Sequence, residues 1–198
     1  MKKSIDLKYI AKIGVLSAVA AVLMLFELPL WFAPPFYKLD FSEIPILIGG
    51  FALGPAAAII MELLKNLLNM LLDGGSTTAY VGEFANFVTG CAFVFPAALI
   101  YKYKKSIKTA IVGLFIGTLS LVLVGALLNY YLLVPAFSVL YNMPIENIVS
   151  MGSAVNASIS DLKTLIIFAV MPFNLLKAAV CSAVTMLLYK RVSKILHI

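Results

Sequence analysis

The chain has 198 residues, of which 63% are hydrophobic and only 12% charged, whereas a soluble domain is close to half apolar and a quarter charged. Water is excluded as its main solvent, and at roughly 20 residues per spanning helix the length allows about six spans and no separate soluble domain. The net charge of +6 falls in clusters at the ends of the apolar stretches, so it reads as a topology signal and requires no nucleic-acid partner. The expected fold class is an all-α integral membrane protein of six transmembrane helices, forming a single membrane domain over residues 1–198.

The start, Met1-Lys2-Lys3-Ser4, is similar to the basic end of a signal peptide, but the apolar stretch over 9–30 is too long for one and lacks a small-x-small cleavage site. The first span is therefore predicted at 7–28, stopped by Pro29 and followed by Trp31, Phe32, Pro34, Pro35, Phe36 and Tyr37, an aromatic and proline-stiffened interfacial segment. Asp40 or Ser42 can cap the helix that follows. The apolar block over 44–72 exceeds one span and contains Gly54-Pro55, which divides it into predicted helices at 43–53 and 55–72. Further spans are expected at 80–101, 108–140 and 162–189, with a less apolar stretch over 141–161 that contains a surface helix. Lys2, Lys3, Lys8 and Lys12, then Lys102, Lys104, Lys105 and Lys108, then Lys190, Arg191 and Lys194 fall on one side of six crossings. The positive-inside rule makes that side, and with it both termini, cytoplasmic.

Histidine chemistry is excluded, because His197 is the one histidine and lies next to the chain end. Cys91 and Cys181 sit inside apolar runs and read as small buried hydrophobes; no metal-ligand spacing and no catalytic set is visible. No GxxxxGK[ST] motif for ATP is present either, so an uptake protein of this kind needs a powered partner.

Polar groups inside the spans are costly and mark candidate sites. Glu62, Lys65, Asn66, Asn69 and Asp73 form one helical stripe, read either as a Glu62–Lys65 pair with bundle-stabilising amides or as part of a site. Gly82, Asn86 and Gly90 recur at four-residue steps. Gly113 with Gly117, and Gly50 with Gly54, have the spacing of close helix packing. Asn129 precedes Pro135, and Pro172 opens a turn carrying Asn174 and Lys177 on one face. Asn129, Asn174 and Lys177, with Asn86, Lys65 and Asn69 as further candidates, offer donors and acceptors in apolar surroundings, which suits a flat, neutral, heteroatom-edged small molecule.

The segments Leu39-Asp40-Phe41-Ser42-Glu43-Ile44-Pro45, Phe51-Ala52-Leu53-Gly54-Pro55, Leu64-Lys65-Asn66-Leu67-Leu68-Asn69, Phe84-Ala85-Asn86-Phe87, Leu128-Asn129-Tyr130 and Pro172-Phe173-Asn174-Leu175-Leu176-Lys177 together resemble the riboflavin-specific substrate-binding (S) components of energy-coupling factor (ECF) vitamin transporters. The resemblance implies a six-helix S component in the cell membrane that binds riboflavin from outside and associates with a transmembrane coupling subunit and two cytoplasmic ATPase subunits. It implies no catalytic residues and no cofactor. It also implies that Asn129, Asn174 and Lys177 read the polar edge of the isoalloxazine ring and that Lys38, Leu39, Asp40 and Phe41 belong to a lid. Gly14, Ser17, Ala18 and Ala21 resemble the family's small-residue coupling motif, without its strict alanine spacing.

Two alternatives remain open on the residues: the same class of protein with another vitamin or FMN as ligand, or a self-sufficient secondary transporter using Glu62 and Lys65 for ion coupling. An intramembrane enzyme is the weakest reading, for want of a nucleophile, base or metal set.

Overall fold

The computed structural model describes residues 6–31, 33–76 and 78–196, with side chains to residue 189. Lys2, Lys3, Phe32 and His197, and the side chains of Lys190, Arg191 and Lys194, lie outside the described residues.

Helix α1, Leu7–Met24, opens on Asp6, whose carboxylate accepts the Lys8 backbone N–H at 3.0 Å. It stops at Met24, short of the expected residue 28. Leu28–Pro29 (β1) instead pairs antiparallel with Lys38–Leu39 (β2). The reason is local: a residue before proline is biased to extended backbone, and proline has no N–H to carry the helix on. Helix α2, Glu43–Leu53, and α3, Pro55–Leu72, are separated as expected at Gly54, whose φ of 101° is open to glycine and costly for other residues. Pro55 then takes the first helical position, where its missing N–H costs nothing. Gly54 thus serves the break, while Gly50 alone of that pair packs closely, with room for little beyond hydrogen against Ala58 and Ala98.

Helix α4 spans Val81–Tyr103, α5 Ile107–Leu140, α6 Ile145–Ser153 and α7 Leu162–Tyr189, the last continuing as helix to Leu196. Five of these (α1, α3, α4, α5 and α7) are long and apolar enough to cross a membrane. The 11-residue α2 rises only about 16 Å at 1.5 Å per residue. It runs from Glu43, beside a cavity described below, to Phe51, which stacks on Tyr101 near the end of α4 and Tyr189 at the end of α7.

Two of the long helices depart from regular α geometry. Residues Asn129–Leu133 of α5 and Ile166–Val170 of α7 form wide π-turns. Each is followed within two residues by a proline, Pro135 or Pro172, whose ring clashes with the carbonyl four residues back and whose missing N–H cannot close the regular ladder.

The main core gathers Ile46, Leu47, Met61, Phe93, Val94 and Ala97 at 0% exposure. A second, smaller core joins α6 to α5 and α7 through Val134, Ile148, Val149, Ile159, Leu165 and Ala169. Helices α4 and α5 touch backbone to backbone. A Cβ on Gly113 would stand 2.7 Å from the Ala97 carbonyl oxygen, and one on Gly117 would overlap that of Phe93. The outward faces carry exposed Val15, Ile111, Phe115, Leu123 and Leu127, as expected of a bundle whose outer solvent is hydrocarbon. Gly113→Val and Gly117→Val are each expected to destabilise the protein by about 1–3 kcal/mol, read as a lower melting temperature in detergent. Gly14→Val, where a Cβ meets nothing within 4 Å, is expected to leave it unchanged.

Candidate functional site

At the end of the bundle where α1 finishes and α4 begins lies a cavity of about 680 Å³. Its walls come from the β1–β2 loop, α4, α5, α6 and α7, with Phe36, Phe93, Phe137 and Phe173 among the aromatics that line it.

The polar side of this cavity is built on Gly125. One turn above it on α5, the π-turn directs the Asn129 Nδ2 back to donate to the Gly125 carbonyl at 2.8 Å. Across the interface, the Asn174 amide of α7 occupies the space a Gly125 side chain would take, its Nδ2 being 2.5 Å from an ideal Cβ. A single missing methyl group therefore lets the half-buried Asn174 amide sit against the same residue whose carbonyl holds the buried Asn129 amide. No spacing in the sequence singles out Gly125, because it belongs to α5 while its consequence belongs to α7.

The loop completes the site. Tyr37 donates its hydroxyl to Asn129 Oδ1 at 2.7 Å and packs its ring against Phe173 at 5.2 Å. Asp40, 137 residues from Lys177 in the chain, meets it at 2.6 Å. The other Asp40 oxygen accepts the Ser42 backbone N–H at 2.9 Å, so Asp40 orders the start of α2 although Ser42 makes no side-chain cap. The Lys177 ammonium offsets the cost of enclosing the Asp40 carboxylate.

Lys65 stands elsewhere. It is 0% exposed and lies between Glu43 at 2.7 Å and Glu62 at 2.8 Å, so the expected Glu62–Lys65 pair exists and Glu43 is its third member. Glu43 lines the cavity; Glu62 and Lys65 do not. A fully desolvated ammonium is tolerable only with such partners, and Lys65 thereby supports the cavity wall from behind. Gly90 is the space for this cluster: a side chain there would collide with the Glu62 carboxylate. The Asn66 amide donates to the Glu62 carbonyl at 2.9 Å, within α3, and Asp73 is exposed beyond the stripe.

Of the residues singled out from sequence, Asn69, Asn86, Asn129, Asn174 and Lys177 all line the one cavity, together with Lys38 and Asp40 of the expected lid. Leu39 and Phe41 do not line it; Leu39 is buried and Phe41 packs on the main core. Sequence reading passed over Phe36, Tyr37, Glu43 and Gly125, and it left the 141–161 stretch without a role. That stretch supplies Met143, Ile148 and Met151 to the cavity. The small residues of α1 divide: Gly14 and Ala18 are exposed, whereas Ser17 and Ala21 face inward, Ser17 donating to the Ile13 carbonyl at 2.8 Å. Cys181 is buried and Cys91 half-buried, both free thiols, and no cluster of metal-ligating side chains occurs among the described residues.

Known proteins give this geometry a setting. A family model described as the substrate-specific component of ECF transporters matches residues 8–189. Over 190 residues, 96% of this chain and 92% of the relative, the sequence is 40% identical to the riboflavin transporter RibU of Staphylococcus aureus (strain TCH60). It is 33% identical to the riboflavin transporter FmnP of Bacillus subtilis (strain 168) over 182 residues, covering 92% and 90% of the two chains. A solved structure of the S component of a bacterial ECF transporter superposes with a TM-score of 0.73 at 39% identity, covering 96% of this chain and 97% of that one. With its fold, its cavity and a match along nearly its whole length in agreement, this chain belongs to the family of substrate-specific components of ECF transporters.

Proposed function

We propose that the chain is the riboflavin-binding S component of an ECF uptake system. It captures riboflavin at the outer face of the cell membrane and passes it on for ATP-driven transport by a transmembrane coupling subunit and two cytoplasmic ATPase subunits. The observation that carries this reading is the aromatic-lined cavity of about 680 Å³ edged by Asn129, Asn174 and Lys177, in a chain whose relatives are riboflavin transporters. The flavin ring presents adjacent carbonyl and N–H groups on one edge and large apolar faces, and amides, an ammonium and aromatic side chains complement both.

In this reading Asn174 and Lys177 contact the ring edge, Asn129 does so once Tyr37 yields its place, and Asn86 and Asn69 extend the polar wall. Lys65 acts through Glu43. The β1–β2 loop is the lid, held down by the Tyr37–Asn129 and Asp40–Lys177 contacts. The whole chain forms one membrane domain of six crossings, the second made by short α2 together with the loop that leads into it. Non-helical backbone inside a membrane bundle is tolerated where it lines a cavity or packs on protein, which is how this loop sits. In this reading the cavity opens outward; the cluster of Lys102, Lys104, Lys105 and Lys108 at the opposite end supports a cytoplasmic position for that end and for both termini. The coupling subunit meets α1 on Gly14 and Ala18, whose small exposed surfaces admit another helix closely; Ser17 and Ala21 support that face from within.

Purified chain is expected to quench riboflavin fluorescence saturably, with Asn174→Ala and Lys177→Ala each weakening binding roughly tenfold, the loss of one hydrogen bond in a dry site costing about 1–3 kcal/mol. Absence of saturable binding by the wild type would refute the assignment. Gly14→Leu and Ala18→Leu are expected to keep riboflavin binding in detergent and to lose uptake in cells that supply the other subunits.

Asp40→Asn, which leaves the Lys177 ammonium without its carboxylate, is expected to lower the melting temperature in detergent at neutral pH.

A further inference from the structure

The charges that line the cavity are unequal. Glu27, Asp40, Glu43 and Glu83 supply carboxylates, against the ammoniums of Lys38 and Lys177. Lys38 pairs with Glu27, Lys177 with Asp40 at 2.6 Å, and Glu43 is met from behind the wall by Lys65 at 2.7 Å. Glu83 is different: among the described residues it has no cationic partner within 4 Å. Its Oε2 accepts the Thr78 hydroxyl at 2.7 Å, and the Thr78 oxygen in turn accepts the Gly82 N–H at 3.1 Å.

This arrangement places a carboxylate in the first turn of α4, where the helix would otherwise favour an incoming anion. The favourable position is filled by the chain's own charge. Each lining ammonium already faces a carboxylate, Lys38 that of Glu27 and Lys177 that of Asp40, so its charge is largely offset before a phosphate arrives.

We propose that Glu83 sets the cavity against phosphorylated ligands, so that the chain takes the uncharged flavin and turns away its phosphate monoester. The inference rests on the riboflavin reading and adds a specificity-determining residue to it. A phosphate monoester carries between one and two negative charges near neutral pH. At an effective dielectric constant of about 20 and a separation of about 10 Å, each unit of charge facing Glu83 costs on the order of tenfold in affinity.

The test is a fluorescence-quenching titration of the full chain with riboflavin and with FMN, on wild type and on Glu83→Gln, Glu83→Ala and Glu83→Asp. Wild type is expected to bind FMN at least about tenfold more weakly than riboflavin. Glu83→Gln and Glu83→Ala should each narrow that ratio by about tenfold, and Glu83→Asp, which keeps the charge, should preserve it. A merely structural role for Glu83 would move both ligands together and leave the ratio unchanged, which overturns the proposal. Equal affinities of the wild type for the two flavins overturn it as well, while leaving the riboflavin reading intact. Failure of the wild type to bind riboflavin is the separate result that removes the reading beneath it.

Discussion

An ammonium enclosed in an apolar bundle is stable only beside a carboxylate, and the contact between Lys177 and Asp40 organises much of what surrounds it. It pins a non-helical loop to the middle of a long helix. The same carboxylate holds the first turn of α2 through the Ser42 N–H, so the short helix begins at a set place and Glu43 is presented to both the cavity and Lys65. The loop, the short helix and the floor of the site are therefore mechanically one piece. Its two ties, Asp40 to Lys177 and Tyr37 to Asn129, end on two of the side chains that line the cavity, so the loop and the cavity wall share these contacts.

The second organising element is an absence of bulk. Gly113 and Gly117 let α4 and α5 meet at their backbones, Gly125 admits the Asn174 amide, and Gly90 admits the Glu62 carboxylate. Between helices in a membrane no hydrophobic gain is available, because lipid tails are as apolar as leucine, and close packing and polar contacts supply the association instead. The prolines complement this. They accompany π-turns in α5 and α7; the one in α5 lies at the cavity and lets Asn129 satisfy a backbone carbonyl while its oxygen still faces the loop.

These features fit a protein that recognises and does not convert. Asn86 at the cavity keeps an Oδ1 with no hydrogen-bond partner among the described residues, and no cluster of metal-ligating side chains occurs among them. The Glu62–Lys65 pair, attractive as an ion-coupling device, is enclosed behind Glu43, which alone of the three lines the cavity. Energy for transport must come from other subunits, as membership of the ECF family entails.

Composition and periodicity determined that this chain lives in a bilayer, where its long helices run, that Gly54-Pro55 divides an apolar block, and that Asn129, Asn174 and Lys177 deserved to be considered together. These are local matters, set by residue hydropathy, by backbone preferences of glycine and proline, and by the cost of polar atoms in hydrocarbon. The tertiary structure decided what each polar group meets: Lys177 takes Asp40 across 137 positions, Lys65 takes Glu43 across 22, and the small residues of α1 part into an inward and an outward pair. It also turned 141–161 from an unexplained polar stretch into a wall of the site. Such pairings depend on which surfaces the helices bring face to face, a property of the packed bundle that no spacing along one helix contains.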